Sequence, residues 1–498
     1  MTASTRRKKY NLLIAQAKGF WDVYKRNKKG IFGIGLIVFF FLFAYIGPML
    51  SENHPVDDWD VGGRRVPPAW FKNLPGYEHL VPNLYPIEDV GFQDPDELKI
   101  WDIDTGSAFT VSHSQDGFLD GSGPGSIQIT LDPYQAGSIE NEIVISKTFS
   151  WDYDNPPKRF RTTLGYKVEN LGDSKLNLKL VIVDNDEEEY YLWEKNIISD
   201  VEWSQPEYKV DSYSIKIKMM FPEGVLSDPA HKIFNGSGDY KFYLVASFSD
   251  VDTDLPGSPT LYVDDLSINL MGTCFGLLGT DQWGRDVYSQ LAHGAKISLF
   301  VGMMSAFISV SIGLFVGLFA GFMGGIVDEI SMRFADMLLV IPSLPLLLVL
   351  IAILGQSITN IIIVISMLGW MGFSRVVRSQ VLSLKERAFI EAARAAGGST
   401  VHIIIKHILP NVMGLVYVSL ATNVPAAITA EASLSFLGLG DPTIMSWGQM
   451  LHDIVYYAAI KELYWVIPPG LCIALLSVSF VMIGFSLDEI LNPRLRSR

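Results

Sequence analysis

Glu391-Ala392-Ala393-Arg394-Ala395-Ala396-Gly397, running on to Ile408-Leu409-Pro410, decides how this chain is read. Alanine forms helices readily but buries little apolar area. Gly397-Gly398 stops such a helix, and Ser399 or Thr400 can cap a second one running towards Pro410. Two short helices at an angle make a rigid bracket, and a small-residue face lets a partner's backbone approach closely. The stretch lies between two long apolar segments. It is therefore expected outside a bilayer, as the docking element of a membrane protein.

The surrounding composition agrees. Of 498 residues, 49% are hydrophobic and only 18% charged. The apolar residues concentrate near 31–50, 295–323, 334–354, 358–374, 412–437 and 465–487, each close to the ~20 residues that cross a bilayer core. This predicts six membrane-spanning helices, the first far from the other five. Ile31 to Leu50 lacks the small-residue cleavage site of a signal peptide and reads as an uncleaved span. Residues 51–270 hold 39 Asp+Glu against 17 Lys+Arg, a net of −22, within a chain of net charge −14. The remainder is basic, with its cations at 6–29 (Arg6, Arg7, Lys8, Lys9, Lys18, Lys25, Arg26, Lys28, Lys29), at 375–406 (Arg375, Arg378, Lys385, Arg387, Arg394, Lys406) and at Arg494, Arg496 and Arg498. All three clusters fall on the cytoplasmic side if both termini are inside, as the positive-inside rule expects.

The expected organisation is thus a cytoplasmic segment 1–30, a first span 31–50, an extracytoplasmic linker 51–125, an extracytoplasmic β-sandwich 126–272, a five-helix core 273–487 with a cytoplasmic loop 375–411, and a cytoplasmic tail 488–498. The acidic balance belongs to the outer part and gives no sign of nucleic-acid binding. Only Cys274 and Cys472 are present, so no disulfide framework holds the outer domain.

Within the outer domain, Leu176, Leu178, Leu180 and Ile182 alternate with polar residues. Tyr213, Ile215, Ile217 and Met219 do the same, as do Leu266, Ile268 and Leu270, with the period of half-buried strands. Further strand-like runs lie near 126–131, 141–151, 159–170, 190–199 and 240–250. Turn signals such as Asn170-Leu171-Gly172-Asp173 and Asn235-Gly236-Ser237-Gly238 separate them, which predicts an antiparallel, jelly-roll-like sandwich. The closing run Leu261 to Ile268 resembles the last strand of jelly-roll, carbohydrate-binding-type modules. Asp184, Asp186 and Glu187–Glu189 could offer oxygens to calcium, or form a solvated acidic turn. Trp193 and Trp203 could stack on sugar rings or belong to the core. No other metal-ligand spacing stands out.

In the apolar part, Gly313, Gly317 and Gly321 recur at four-residue spacing and predict a close helix contact. Pro342 and Pro345 should kink the third span. Asn423 and Glu431 are the pore or gate candidates. An ionisable Glu431 inside a span either lines a cavity or bonds a neighbouring helix.

With these residues in view, the chain resembles the permease subunits of ABC importers, whose coupling motif is Glu-Ala-Ala, three residues, Gly, nine residues, then Ile-x-Leu-Pro. Here Glu391, Ala392, Ala393, Gly397, Leu409 and Pro410 fit, while His407 takes the Ile position, as expected in the peptide branch. Gly279-Thr280-Asp281-Gln282-Trp283-Gly284-Arg285-Asp286 matches that branch's element before the second span. Glu431-Ala432-Ser433-Leu434-Ser435-Phe436-Leu437-Gly438-Leu439-Gly440, with Ser446-Trp447-Gly448, matches its fifth-span element. The resemblance covers about 30–60 and 275–498 and is to the C-type permease of dipeptide/oligopeptide importers. Pro67-Pro68 and Gly279 stand some 210 residues apart, far beyond the family's short first loop, so a β-domain is inserted there.

The resemblance implies half of a translocation pore, completed by a second, B-type permease. Two ATPase subunits would grip the coupling helix, and an extracytoplasmic binding protein would deliver substrate. ATP and magnesium would sit on the ATPases, with no cofactor on this chain and no enzymatic activity of its own. Gly294-Ala295-Lys296 indeed lacks the spacing of a phosphate-binding loop. Oligosaccharide import by the same class is the second expectation, and a membrane-anchored carbohydrate-binding protein the third.

Overall fold

The computed structural model describes residues 18–491 apart from 20, 88–90, 119–124, 137–140, 208 and 254–256. The basic residues at 6–9 and 494–498 therefore lie outside the described residues. The chain divides into two compact units, Met1–Trp59 with Asp286–Arg498, and Asp60–Arg285.

The first unit is helical. Its elements are α1 (Lys28–Ile46), α2 (Val287–Met323), α3 (Gly325–Val340), α4 (Ser343–Leu354), α5 (Ile358–Gly369), α6 (Met371–Lys385), α7 (Ala388–Ala395), α8 (Thr400–Ile403), α9 (Leu409–Leu434), α10 (Trp447–Tyr456) and α11 (Leu463–Leu491). Local chemistry sets the boundaries. Asn27 caps α1 by accepting from the amides of Lys29 and Gly30, and Asp286 caps α2 by accepting from Tyr288. Gly324, at φ +67°, ends α2 in a conformation that costs other residues strain.

Among the described residues, five helices are long and apolar enough to cross a bilayer: Lys28–Leu50, Val287–Met323, Ile358–Lys385, Thr400–Leu439 and Leu463–Ile490. The expected third span is instead the pair α3 and α4, bent by 93°, which brings the number to six if the pair counts as one. The break has a direct cause. Ile341, which precedes Pro342, is held at ψ 129°, the extended region that a following proline enforces. The segment expected as a loop from 375 is helical as far as Lys385, so the turn-rich region starts about ten residues later than the hydropathy suggested.

Among the described residues the second unit holds ten strands: β1 (Asp102–Thr105), β2 (Phe109–Ser114), β3 (Ser126–Leu131), β4 (Asn141–Trp151), β5 (Arg159–Glu169), β6 (Lys175–Val183), β7 (Glu189–Ile197), β8 (Val201–Ser204), β9 (Gly238–Ser249) and β10 (Thr260–Met271). They form two five-stranded antiparallel sheets, ordered β1-β4-β9-β6-β7 and β2-β3-β10-β5-β8. Both sheets bury their alternate residues in one core, including Ile143, Leu178 and Phe242 from the first and Ile127, Leu164 and Val263 from the second. Trp193 is buried in that core.

Two sequence expectations differ here. The stretch 51–125, read as irregular linker, supplies the edge strands β1 and β2. These are short, and their flanking Pro, Gly and Asp residues mask the alternation. The run Tyr213–Met219 is a turn followed by a short helix, Ile215–Lys218, in place of a strand. The Asp211 carboxylate accepts from the amides of Tyr213 (2.7 Å) and Ser214 (3.1 Å), and this turn diverts the chain before a strand can start.

The start and finish of this unit are tied together. Val81 and Thr273 exchange bonds: the Val81 amide donates to Oγ1 (2.9 Å), and the Thr273 amide donates to the Val81 carbonyl (2.8 Å). Nearby, the Phe275 amide donates to Pro67 (2.9 Å) and the Ala69 amide to Gly276 (3.0 Å). A buried ionic group lies in the same unit. Arg159, 1% exposed, donates to Asp211 Oδ2 at 2.9 Å and pairs with Asp60, while Lys209 reaches Asp60 at 3.3 Å. The Tyr213 ring stacks against the guanidiniums of Arg159 (4.7 Å) and Arg64 (4.8 Å). Burial alone would raise the Asp60 carboxyl, but the bonds and charges of Arg159 and Lys209 outweigh it and hold the group below the usual Asp value.

Candidate functional site

The helix α7 is anchored chiefly by one side chain, with Ala393 packed beside it, and leaves most of its surface to solvent. Ile390 is fully buried, packed in a cluster with Phe322 of α2, Val377 and Val381 of α6, and Ile403, Ile404 and Ile408. Glu391, Ala392, Ala395, Ala396 and Gly397 are exposed. This is a short amphipathic helix whose exposed surface combines the small Ala392, Ala395 and Ala396 with Phe389, Glu391 and Arg394.

Its end is geometrically defined. Gly397 sits at φ +79°, its amide donates to Arg394 O (2.9 Å), and the Gly398 amide donates to Ala393 O (3.0 Å). This pair of bonds around a left-handed residue is the Schellman closure. A Cβ added at Gly397 would meet nothing within 4 Å, so the need for glycine is conformational and not steric. Ser399 Oγ then accepts from His402 N (3.4 Å) and starts α8. A π-turn over Ile404–Ile408 leads into α9, whose first turn holds Pro410, where its missing amide is not needed. The Arg394 guanidinium lies over the Phe322 ring, 5.3 Å from its centre.

The seat beneath α7 is stiff. A Cβ on Gly313, Gly317 or Gly321 would come within 2.7 Å of Trp370 O, 2.6 Å of Ser374 O and 2.8 Å of Val381 Cβ, so the three glycines let α6 lie directly on α2. Arg378 of α6 grips Asp328 of α3 through Nε (2.5 Å) and Nη2 (2.6 Å), and Arg375 pairs with Asp336. In the sequence these two arginines read as topological charges. Nothing there announces their partners, two turns apart in the first half of the bent pair.

Glu431 is buried late in α9. Its Oε1 accepts from Ser435 Oγ (2.8 Å) and Ser446 Oγ (2.7 Å), while Oε2 has no hydrogen-bond partner among the described residues. Ser446 also caps α10 by accepting from Gln449 N (3.2 Å). Gly448 is so close to α9 that a Cβ would lie 2.7 Å from Ala432 Cα. The Trp447 indole donates to Leu291 O of α2 (2.9 Å). Glu431 thus joins α9 to α10, and Asn423 donates to Ser419 O (2.8 Å) within its own helix.

Comparison with known proteins bears on this arrangement. The family model for the inner-membrane component of binding-protein-dependent transport systems matches residues 313–497, and that for the N-terminal TM domain of oligopeptide transport permease C matches 16–68. The dipeptide transport system permease protein DppC of Bacillus subtilis (strain 168) is 40% identical over 219 residues, 44% of this chain and 68% of that protein. The chain belongs to the dipeptide/oligopeptide permease family of ABC transporters. The oligopeptide permease OppC of Escherichia coli (strain K12) is 42% identical over 217 residues, 43% of this chain and 72% of that protein. The glutathione permease GsiD of Escherichia coli O1:K1 is 37% identical over 219 residues, 44% and 72% of the two chains. Among solved structures, the inward-facing MetNI methionine ABC transporter aligns with 42% of this chain and 97% of that chain at 21% identity and TM-score 0.33. TmCBM61 in complex with beta-1,4-galactotriose aligns with 37% of this chain and 97% of that chain at 13% identity and TM-score 0.22.

As a member of this family the protein is a multi-pass inner-membrane permease, a transport component and not an enzyme, which acts with other ABC transporter subunits. Neither family model reaches into 69–312, the stretch that carries all ten strands. The permease motif Gly279–Asp286 is a folded turn. Asp281 accepts from the amides of Trp283 (2.8 Å) and Arg285 (3.0 Å) and from Arg285 Nε (2.7 Å). Gly279 and Gly284 both have positive φ, and a Cβ on Gly284 would lie 2.6 Å from Gly62 O. Thr280 bonds Gly63 O and accepts from Val66 N (3.1 Å). Burial raises the carboxyl of Asp286 above the ordinary value, despite the amides of Tyr288 and Ser289.

Asp184 is committed to its own turn, accepting from the amides of Asp186 (2.9 Å) and Glu188 (2.8 Å) and from the Tyr190 hydroxyl (3.2 Å). Asp186 accepts from Asn235 (2.9 Å). Among the described residues no group of three or more His, Cys, Asp or Glu could hold a metal ion.

Proposed function

We propose that this permease forms half of the translocation pore of an ATP-driven importer of dipeptides and oligopeptides and is driven through α7. The observation that carries the reading is the exposed, small-residue face of Glu391–Gly397, closed at Gly397 and anchored by Ile390. A second, B-type permease completes the pore. One of two ABC ATPases docks on α7, with ATP and magnesium bound to the ATPases and no cofactor on this chain. An extracytoplasmic binding protein delivers the peptide. Both termini lie in the cytoplasm, and residues 51–285, with the jelly-roll-like insert, lie outside.

The force path follows from the packing. Closure of the ATPases displaces α7. Ile390 passes that displacement to the cluster it shares with α2, α6 and α9, and the spans move as packed bodies. The small outer face serves close docking, and the ordered cap keeps the helix from absorbing the push. Glu431 acts as a tie between α9 and α10 at the far end of the same span.

The test is import and binding-protein-stimulated ATP hydrolysis by the reconstituted importer carrying Glu391→Ala or Gly397→Pro. Both variants should insert normally yet hydrolyse ATP without importing peptide. Normal import by both would overturn the assignment. Identification of the ligand retained by the cognate binding protein tests the substrate class, and an oligosaccharide there would replace the peptide reading.

A further inference from the structure

We propose that a cleft at the N-terminal end of α1 binds the phosphate of an anionic phospholipid headgroup. The cleft, of about 440 Å³, is lined by Val23, Arg26, Asn27, Lys28 and Lys29 on one side and by Glu489 and Ile490 of α11 on the other. That is within the size range of ligand pockets.

Its walls are rigid. A Cβ on Gly33 would fall 2.8 Å from Ser479 O, so α1 and α11 touch backbone to backbone just below it. Asn27 Nδ2 donates to Glu489 Oε2 (2.9 Å), while Asn27 Oδ1 accepts from the Ser486 hydroxyl (3.3 Å) and from the amides of Lys29 and Gly30 (both 3.1 Å). Tyr24 is buried beside them and donates to Gly30 O (3.3 Å).

The charge in this cleft is unbalanced. Three cations face one carboxylate, which Asn27 already occupies in part. Arg26, Lys28 and Lys29 have no ion-pair partner among the described residues, whereas Lys25, at the same end but outside the cleft lining, is paired with Asp22 at 2.5 Å. A cleft with this excess of positive charge selects an anion. Its surroundings select the source. Trp21 is half exposed and stacks parallel on Tyr24 (6.1 Å, 7°), an amphipathic ring of the kind that marks a bilayer interface. Immediately beyond the cleft, Ile31 and Phe32 are exposed and begin the apolar surface of α1. A phosphodiester seated among Arg26, Lys28 and Lys29 has its acyl chains laid along that surface, the arrangement by which basic clusters at span ends hold acidic lipids. The inference rests on α1 being a membrane span.

The assay is retention of phosphatidylglycerol by the complete importer after extraction from phosphatidylcholine vesicles doped with it, read by native mass spectrometry. Arg26→Gln and Lys29→Gln should each reduce retention about fivefold. Lys25→Gln should leave it unchanged, and Glu489→Gln, which removes the competing charge but keeps an acceptor for Asn27, should increase it. Equal retention of the two lipids by the wild-type importer, or equal losses for Lys25→Gln and Arg26→Gln, would overturn the site. Displacement of the retained lipid by millimolar inorganic phosphate would overturn the lipid as source and assign the cleft to free phosphate. Protease protection of the same samples shows separately whether α1 crosses the bilayer.

Discussion

Gly397 allows a quantitative test of the role proposed for α7, because its surroundings separate strain from sterics. With φ at +79° and nothing within 4 Å of an added methyl, Gly397→Ala brings no clash and keeps the amide bond to Arg394 O. Its whole cost is that of a left-handed alanine, about 1–2 kcal/mol. Gly397→Asn, which tolerates that conformation, should cost a few tenths. Gly397→Pro removes the donated bond and fixes φ near −65°, which also breaks the Gly398 bond to Ala393, for about 3 kcal/mol or more. If docking of the ATPase needs the closed cap, affinity for it should follow the order Gly, Asn, Ala, Pro. The Ala variant should weaken by roughly 5–30-fold, the factor that such an energy represents. Titrating ATPase onto permease in nanodiscs and measuring import per ATP gives both numbers. Equal behaviour of Asn and Ala would refute the conformational argument, and an intact Pro variant would refute the role of the cap altogether.

The other expectations concern the supports. Gly317→Ala places a methyl 2.6 Å from Ser374 O and should destabilise the α2–α6 contact by about 1–3 kcal/mol, seen as a lower melting temperature in detergent. Glu431→Gln keeps an acceptor for Ser435 and Ser446 and should import normally, whereas Glu431→Leu strands both hydroxyls and should lose about 1–3 kcal/mol; failed import by a stable Gln variant would instead make Glu431 part of the pathway. Arg159→Met leaves Asp211 buried without its ion-pair partner and Asp60 dependent on Lys209, and should cost the β-unit about 3–5 kcal/mol by tryptophan fluorescence, Trp101 and Trp151 being buried there. Because the folded carboxyl of Asp60 is held below its ordinary value of about 3.9, its contribution is complete above that pH and disappears as pH falls through the folded value. Asp60→Asn should therefore flatten the acid limb of the stability curve, and an unchanged limb would assign it to other carboxylates.

The helix α7 is readable in the sequence because two local signals coincide there: small residues, and a glycine whose backbone demands it. The glycine stripe is readable for the same reason, since spacing alone puts Gly313, Gly317 and Gly321 on one face. Strand alternation identifies the long strands β4, β5, β6, β9 and β10. It fails at Ile215–Lys218, where Ile and Lys alternate just as they would in a strand and only the Asp211 turn decides. It also fails at β1 and β2, short strands that gain their form by pairing, β1 with the distant β4 and β2 with the next strand, β3. The partners of Arg159 and Arg378 are hidden by their separation along the chain, while those of Glu431, Ser435 and Ser446, lie close in sequence but are serines that nothing local marks out.

The hydrogen-bonded root of the β-unit separates its length from the chain that carries it. Val81 and Thr273 meet at bonding distance, so the residues between them leave the chain and return to one point. A module joined in this way imposes almost no closure cost on the residues that flank it. A few glycines bridging Val81 to Thr273 should therefore leave the Gly279–Asp286 turn folded, with Asp281 still accepting from the amides of Trp283 and Arg285.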